Sequence, residues 1–387
     1  MPNSISNLRK FVAPEIIFGV GARKTVGNFA RNFGGQRVLI VTDPGVIKTG
    51  WVEDVKRSLE ETGLEYRIFS NVSPNPRAEE VMQGAALYHE EGCNLIVAVG
   101  GGSPMDCAKG IGIVSANNQH ILMFEGVDRI HSPIPPLVFI PTTAGTSADV
   151  SQFAIISDQD TRMKVSIVSK AVVPDVTLID PETTLTMDPF LTACTGIDAM
   201  VHAVEAFVST ASGPLTDMHA LEAIKLVSEN LPKLVQNPSD VALREQLMLA
   251  SLKAGLAFSN AILGAVHAMS HSLGGFLDLP HGLCNSILVE RVIDYNFNAS
   301  PDRFRVIADT LGIETKNLST PQLQKALVSH VSELKQRVGL TQTLGEAGVV
   351  KADIPELSGN ALTDPCILTN PRKSNKRDVE VVYEEAL

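Results

Sequence analysis

The pattern of hydrophobic and polar positions divides the chain into two halves. In the first half, up to about residue 184, short apolar runs with little polar alternation recur between amphipathic stretches of helical period. Strands buried on both faces have this appearance, because helices cover both sides of a parallel sheet. Residues 1–184 therefore predict an α/β domain. Its expected strands are residues 37–42, 66–69, 94–99, 137–140 and 176–179.

A helical period dominates the second half, where strand-like runs nearly vanish. Residues 185–387 therefore predict an all-α domain that follows the α/β domain. The expected helices are residues 190–209, 214–231, 242–260, 264–273, 286–296, 300–311 and 320–338, with a short one at 377–386.

Composition limits which binding partners and which cellular compartment we expect. The chain has 387 residues, 44% of them hydrophobic and 19% charged, which suits a compact protein of two domains. A net charge of −11 disfavours nucleic acid and anionic membranes as partners, since both attract clustered Lys and Arg. The apolar runs are shorter than the roughly 18–20 residues that cross a bilayer. Five scattered cysteines without a CxxC pair indicate a reducing compartment, so we expect a cytoplasmic location.

A glycine-rich turn follows the predicted strand 94–99. The sequence GGGSPMDCAK at 100–109 offers Ser103 as an N-cap, Pro104 at the first helical position and Asp106 as a capping-box acid. A helix that starts there directs unpaired N–H groups and its dipole toward the turn, which favours a bound phosphate. The alternative is a tight turn without a ligand.

Two more loops follow predicted strands and are candidate cofactor contacts. Asp43, at the end of the first strand, can bond an adenosine ribose and would repel the extra phosphate of NADP. The alternative is that Asp43 only caps the next turn, together with Pro44 and Gly45. Residues 141–147 (PTTAGTS) supply small side chains and hydroxyls, a weak signal because polar loops after strands are common.

Histidines and one carboxylate form the candidate metal site. His267 and His271 are four residues apart, so they share one face of a helix, and Asp198 and His202 repeat this spacing upstream. A proline before His281 should end the first of these helices and let His281 turn back toward the pair. A single histidine on an apolar face is more often an ordinary core residue. The cluster instead predicts a site for a divalent metal such as Zn²⁺ or Fe²⁺.

Several motifs together resemble the iron-containing (group III) alcohol dehydrogenases, and they span nearly the whole chain in the family's order. The resemblance implies an N-terminal dinucleotide-binding domain, a C-terminal helical domain, a dehydroquinate synthase-like architecture and an active site in the cleft between the domains. The motifs are GGGSPMDCAKG at 100–110, PTTAGT at 141–146, TGIDAMVHAVEAF at 195–207, HAMSHSLGG at 267–275, PHGLCN at 280–285 and NPR at 370–372.

The resemblance also implies a role for individual residues. His271 matches a family histidine near the nicotinamide that helps to relay a proton. The family's metal ligands fall on Asp198, His202, His267 and His281. The cofactor contacts fall on Asp43, Asn75, Gly101, Gly102, Ser103, Asp106, Thr142, Thr143 and Lys164. Phe153, Phe258 and Cys366 match the substrate cavity. The chain departs from the family pattern at Ser147, Ala148, Asp149 and Glu290.

We therefore expect an enzyme that transfers a hydride between a short primary alcohol or diol and NAD. It would use one divalent metal, Fe²⁺ by family, with Zn²⁺ open. A polyol dehydrogenase of the glycerol type and a non-catalytic nucleotide-binding protein remain alternatives. A dehydroquinate synthase-like lyase would need clustered Lys and Arg for its phosphorylated substrate, and residues 264–280 contain neither. The family resemblance implies a homo-oligomer, a dimer or larger, in which a strand within residues 7–19 pairs across a two-fold axis.

Overall fold

The computed structural model describes residues 10–387 and shows an α/β half followed by a helical half. The strands, in chain order, are β1 (Glu15–Phe18), β2 (Arg37–Val41), β3 (Glu65–Phe69), β4 (Leu95–Gly100), β5 (Gly126–Val127), β6 (Leu137–Pro141), β7 (Phe153–Asp158), β8 (Met163–Val168) and β9 (Val176–Ile179). Six of them form a parallel sheet in the order β1-β9-β6-β4-β2-β3. A smaller sheet has the order β5-β8-β7 and contains an antiparallel hairpin.

Helices cover both faces of the large sheet. In β2, Leu39 and Val41 pack into one apolar cluster while Val38 and Ile40 pack into the cluster on the opposite face, and all four side chains are fully buried. Burial on both faces explains why the strand carries no polar alternation. The helices of this half are α1 (Val26–Asn32), α2 (Pro44–Ile47), α3 (Trp51–Glu61), α4 (Ala78–Glu90) and α5 (Gly102–Asn117).

The sequence pattern predicted five strands of the large sheet and missed β1 as a member of it. We expected a strand within residues 7–19 to pair across a two-fold axis. Within this range the strand β1 pairs in parallel with β9 of the same chain, in a register that sets Glu15 opposite Val176, and pairing with a second copy stays a prediction. Residues 7–9 lie outside the described residues.

The second half is helical throughout. Its helices are α6 (Pro189–Val208), α7 (Pro214–Gln236), α8 (Val241–Ala261), α9 (Ala265–Leu277), α10 (His281–Phe297), α11 (Pro301–Thr310), α12 (Thr320–Arg337), α13 (Ile354–Thr363) and α14 (Lys376–Ala386). Helix α10 begins at His281, earlier than predicted, because Pro280 takes the N-cap position and α9 has already ended at Asp278 in a left-handed conformation. The assignment of residues 1–184 and 185–387 to separate domains stays a prediction.

Helix α6 lies at the centre of the helical core and contacts the first half. It is apolar and long enough to cross a membrane, but 94% of its apolar window is buried inside the protein, as in the core helix of a globular domain. A Cβ on Gly145 would lie 2.5 Å from the carbonyl oxygen of Thr195. The loop after β6 therefore packs directly against the helix that carries Asp198 and His202.

Candidate active site

A cavity of about 950 Å³ lies between the two halves. It is bordered by the loops that follow β2, β4 and β6 on one side and by helices α6, α9 and α10 on the other. Its lining includes every residue predicted to bind the cofactor or the metal or to relay the proton: Asp43, Asn75, Gly101, Gly102, Ser103, Asp106, Thr142, Thr143, Lys164, Asp198, His202, His267, His271 and His281. The structure thus brings the predicted cofactor and metal residues to one space.

The glycine turn presents an uncapped helix N-terminus to this cavity. The prediction that Ser103 caps the helix is wrong, because Gly101 takes the N-cap position and α5 begins at Gly102. Within residues 10–387, no side chain accepts a hydrogen bond from the first turn of α5. Its N–H groups are therefore available to a phosphate, as the helix dipole favours.

The loop after β6 packs against that turn and adds an unpaired hydroxyl. A Cβ on Gly101 would lie 3.1 Å from Cγ2 of Thr143, so the glycine allows the close approach. The Oγ1 atom of Thr143 is buried and has no hydrogen-bond partner among the described residues. A buried hydroxyl without a partner costs free energy, and a phosphate or ribose oxygen would supply the missing bond. These residues fit a dinucleotide.

Asp43 is placed for both roles that the sequence left open, which are capping the next helix and contacting the cofactor. Its Oδ1 atom accepts hydrogen bonds from the N–H groups of Gly45 and Val46, at 2.8 and 2.9 Å, so it caps α2. The same side chain lines the cavity. Because capping uses only Oδ1, the carboxylate keeps an oxygen for a ribose and a charge that opposes an added phosphate.

Asn75 links the two halves across the cavity. Its Nδ2 atom donates to Oδ1 of Asp278 at 2.7 Å, and its Oδ1 atom accepts from Nζ of Lys164 at 2.8 Å. Asn75 and Asp278 both have positive φ angles, 59° and 54°. Burial lowers the pKa of Lys164. In helix α5, just after the glycine turn, burial raises the pKa of Asp106 to about 6.

The four predicted metal ligands meet at the inner end of the cavity. Their nearest ligand atoms all lie within 4.8 Å of one another. Oδ1 of Asp198 is 3.9 Å from Nε2 of His267 and 3.7 Å from Nε2 of His281, while Oδ2 is 4.0 Å from Nδ1 of His202. These gaps are too long for hydrogen bonds, but they leave room for a cation that bonds each atom at about 2.0–2.2 Å.

The protonation of the cluster also suits a metal. Burial lowers the pKa of His202 to about 3 and holds the pKa of His267 and of His281 well below the usual value. All three imidazoles are therefore neutral near pH 7, and a neutral imidazole has a lone pair for a metal. Nδ1 of His202 is buried without a hydrogen-bond partner in the described chain. Burial raises the pKa of Asp198, a cost that a bound cation would offset. The residues present fit a divalent metal.

Glu205 orients one of these histidines and was not predicted. It follows His202 by three residues on α6, and its carboxylate accepts from the N–H groups of Gly264 and Val266 at the start of α9. The same carboxylate is 2.6 Å from Nδ1 of His267. Toward an ionised Glu205, which can only accept, Nδ1 of His267 donates its hydrogen, and Nε2 lies 3.9 Å from Oδ1 of Asp198. The only sequence signal for Glu205 was its place within TGIDAMVHAVEAF.

Asn285 is a second residue that the sequence analysis missed. Its Nδ2 atom lies 2.5 Å from Oδ1 of Asp198 and 3.1 and 3.2 Å from the Nε2 atoms of His267 and His281. The amide is fully buried. Its two amide hydrogens can serve only two of these atoms at a time, so the side chain borders three of the four candidate ligands, and its place in PHGLCN was the only hint.

Aromatic side chains form the wall beside the cluster. Phe258 stacks on the ring of His202 with centroids 4.3 Å apart, and Phe153 packs against Phe258 at 5.9 Å. Both line the cavity, but Cys366 does not. Burial beside Asp364 explains this difference, since the thiol is fully enclosed.

The departures from the family pattern lie mostly outside the cavity. Ser147 has a φ of 51° and its hydroxyl donates to the carbonyl of Ser251 on α8 at 2.7 Å. Of the positions 147–149, only Ala148 lines the cavity. Glu290 pairs with Lys335 at 3.0 Å and so connects α10 to α12. None of these residues contacts a candidate metal ligand through a hydrogen bond.

A parallel-sheet half, a helical half and a shared cavity that joins a glycine turn to a histidine cluster are the arrangement expected of a metal-dependent dehydrogenase. Residues 13–181 match the family model described as iron-containing alcohol dehydrogenase, and residues 192–387 match the C-terminal model of the same family. The chain belongs to the iron-containing alcohol dehydrogenase family.

Curated relatives and solved structures agree with this assignment over almost the full length. The 1,3-propanediol dehydrogenase of Klebsiella pneumoniae is 39% identical over 97% of this chain and 98% of its own length. The NAD-dependent methanol dehydrogenase of Bacillus methanolicus is 37% identical over 97% and 99%. A crystal structure of 1,3-propanediol oxidoreductase has a TM-score of 0.95 at 38% identity and covers 98% of this chain and 100% of that chain. An alcohol dehydrogenase from Oenococcus oeni has the same TM-score and coverage at 36% identity.

Proposed function

We propose that this enzyme catalyses the reversible oxidation of a short primary alcohol or diol to the aldehyde, with NAD as hydride acceptor. One divalent metal is held by Asp198, His202, His267 and His281. The observation that carries the proposal is that the phosphate-binding turn and the neutral histidine cluster open into one cavity. The named activities of the relatives, on propanediol, methanol and lactaldehyde, support the same substrate class.

Each part of the cavity has a chemical task. A divalent cation, when bound, supplies Lewis-acid polarisation of the substrate oxygen, and the nicotinamide supplies the hydride acceptor. His271 lies one helical turn after His267, with its ring stacked on that of His281 at 5.3 Å, and takes the hydroxyl proton. Phe153 and Phe258 exclude water and restrict the carbon chain to a short, mostly apolar one.

The lyase alternative lacks the charges that it requires. A phosphorylated sugar acid needs several Lys or Arg side chains. Among the described residues that line the cavity, Lys164 is the only Lys or Arg, and its ammonium group donates one hydrogen bond to Asn75.

The first test is metal-dependent turnover. Protein stripped with a chelator and reloaded anaerobically with Fe²⁺ or Zn²⁺ is assayed for NADH oxidation with short aldehydes, including hydroxyaldehydes. We expect activity to disappear on stripping and to return with one metal, while NADH binding, followed by fluorescence, persists. Turnover that survives complete stripping, or its absence with either metal in protein that binds NADH, contradicts the proposal.

Asp43 is predicted to set the preference for NAD. In Asp43→Ser, the serine keeps the cap on α2 but removes the charge, so the phosphate of NADP is no longer repelled. We expect kcat/KM with NADP to rise at least about tenfold, because such like-charge contacts cost several kcal/mol. Steady-state assays with both cofactors measure this. Asp240→Ser changes the N-cap of α8, outside the cavity lining, and serves as the control. An unchanged NADP to NAD ratio would refute the role.

We also propose a cytoplasmic location and a homo-oligomeric state. All five cysteines are buried and unpaired, which supports a reducing compartment. Strand β1 is the outer strand of the large sheet and offers an edge to a second copy. Light scattering of the purified protein tests the assembly, and a monomer at micromolar concentration would exclude it.

A further inference from the structure

Asp364 contacts the ring of His271 and does not itself line the cavity. Its Oδ2 atom is 2.7 Å from Nδ1 of His271, and both side chains are more than nine-tenths buried. The two residues are 93 positions apart in the chain. A buried carboxylate that contacts the imidazole expected to move the proton is the arrangement that orients a general base.

The other oxygen of the Asp364 carboxylate is bonded to the backbone. Asp364 is the N-cap of the 3-10 helix Pro365–Thr369, and its Oδ1 atom accepts from the N–H group of Cys366 at 2.7 Å. With one oxygen bonded to the backbone, the carboxylate cannot rotate, so Oδ2 presents a fixed acceptor to His271. The plane of the imidazole is therefore set by the backbone of the helical half.

The direction of the hydrogen bond follows from the charge of Asp364. Burial opposes ionisation, but His271 and the N–H group of Cys366 outweigh it and hold the pKa of Asp364 below its usual value. An ionised carboxylate only accepts, so Nδ1 of His271 carries the hydrogen. Nε2 is then the nitrogen with a lone pair left for a substrate at the cavity wall.

A bound metal does not explain this cluster. His271, Asp364 and Cys366 could together approach one ion. However, burial raises the pKa of the Cys366 thiol well above its usual value, and a thiol is a much poorer ligand than a thiolate. The short contact between His271 and Asp364 also leaves no space for an ion between them.

We propose that Asp364 is the positioning residue of His271, which fixes the tautomer with hydrogen on Nδ1 and turns Nε2 toward the alcohol. This inference rests on the proposed function, in which His271 accepts the hydroxyl proton. During alcohol oxidation the O–H bond breaks and an N–H bond forms at Nε2, the hydride passes to the nicotinamide, and the proton later leaves to solvent. Asp364 remains ionised and touches neither substrate nor cofactor.

The first test is the isosteric variant Asp364→Asn. Its amide nitrogen would donate to Nδ1 and favour the opposite tautomer, with hydrogen on Nε2. We expect kcat to fall about 100-fold, the scale of general base catalysis, while the KM for NAD and the bound metal stay within about twofold of wild type. Asp353→Asn alters another cap of a 3-10 helix in the same half and should leave kcat unchanged. Loss of the metal, or a kcat within threefold of wild type, overturns the proposal.

Chemical rescue and a double variant separate positioning from a structural role. A cavity of about 30 Å³ borders His271 and Asp364 and is also lined by the exposed Thr363. Formate added to Asp364→Ala should enter there and raise kcat at least about tenfold; no rescue by formate argues against a carboxylate role. In the His271→Ala background, Asp364→Asn should lower kcat by no more than about twofold, because the residue acts through His271. Additive losses overturn the proposal.

The same variants distinguish this inference from the proposed function. A slow His271→Ala with a fast Asp364→Asn refutes only the positioning role. A His271→Ala variant with the kcat of wild type refutes the proton relay and the positioning role together.

Discussion

Replacing His267 by alanine is expected to release the metal and to lower kcat for alcohol oxidation at least about a thousandfold. The Nε2 atom of His267 faces Asp198 at 3.9 Å, in the centre of the cluster. Its removal leaves two imidazoles and one carboxylate, too few to hold a divalent cation firmly. Lewis-acid stabilisation worth several kcal/mol is then lost, and about 1.4 kcal/mol corresponds to a factor of ten in rate.

The measurement is metal content per chain by mass spectrometry, together with kcat at saturating substrate. His330→Ala removes a half-buried histidine from α12, outside the cavity lining, and should retain both metal and activity. Thermal unfolding of the metal-free forms shows whether His267→Ala is folded. Full activity with undiminished metal in His267→Ala would contradict the assignment of the whole cluster.

Replacing Glu205 by glutamine is expected to weaken metal binding about 10–100-fold, the usual effect of losing a carboxylate behind a metal-binding histidine. Glutamine has nearly the same shape, but one of its two groups is a donor. It cannot accept from the N–H groups of α9 and from Nδ1 of His267 at the same time. The imidazole then loses the contact that turns Nε2 toward Asp198.

Competition with a chelator of known affinity measures the change, and kcat at saturating metal should return to within about tenfold of wild type. Glu290→Gln is the matched control, since Glu290 is also a partly buried carboxylate of the helical half but pairs with Lys335. Unaltered metal affinity in Glu205→Gln, with the control also unaltered, would show that Glu205 only caps α9.

Continuous apolar runs made most of the large sheet predictable. β2, β4 and β6 are buried on both faces, so their sequences are apolar whatever their neighbours are. The hairpin β7–β8 was not predicted, and β1 was expected as a strand within residues 7–19 but not as a member of the large sheet, because short or partly polar strands depend on their partners. The strand β1 exists through its pairing with β9, about 160 residues later in the chain, and local propensity does not report such contacts.

The residues at which helices begin and end were less predictable than the presence of the helices. Ser103 is a better N-cap than glycine by propensity, yet the helix starts at Gly102. A Cβ at position 101 would lie only 3.1 Å from Cγ2 of Thr143, so this tertiary contact favours glycine there, a preference that capping propensity does not report. Helix α13 carries Asn360 and Thr363 in a polar stretch and was likewise missed.

The spacing of Asp198 with His202 and of His267 with His271 follows from the chain itself, since four residues bring side chains to one helical face. The sequence by itself therefore determined the two-part architecture, the candidate ligands and, through the family motifs, the class of enzyme. Only the tertiary structure decided which groups hold the site histidines in place. Glu205 and Asp364 bond the Nδ1 atoms of His267 and His271 from 62 and 93 residues away. Such contacts have no local pattern, because a hydrogen bond depends on distances of a few ångströms that packing alone sets.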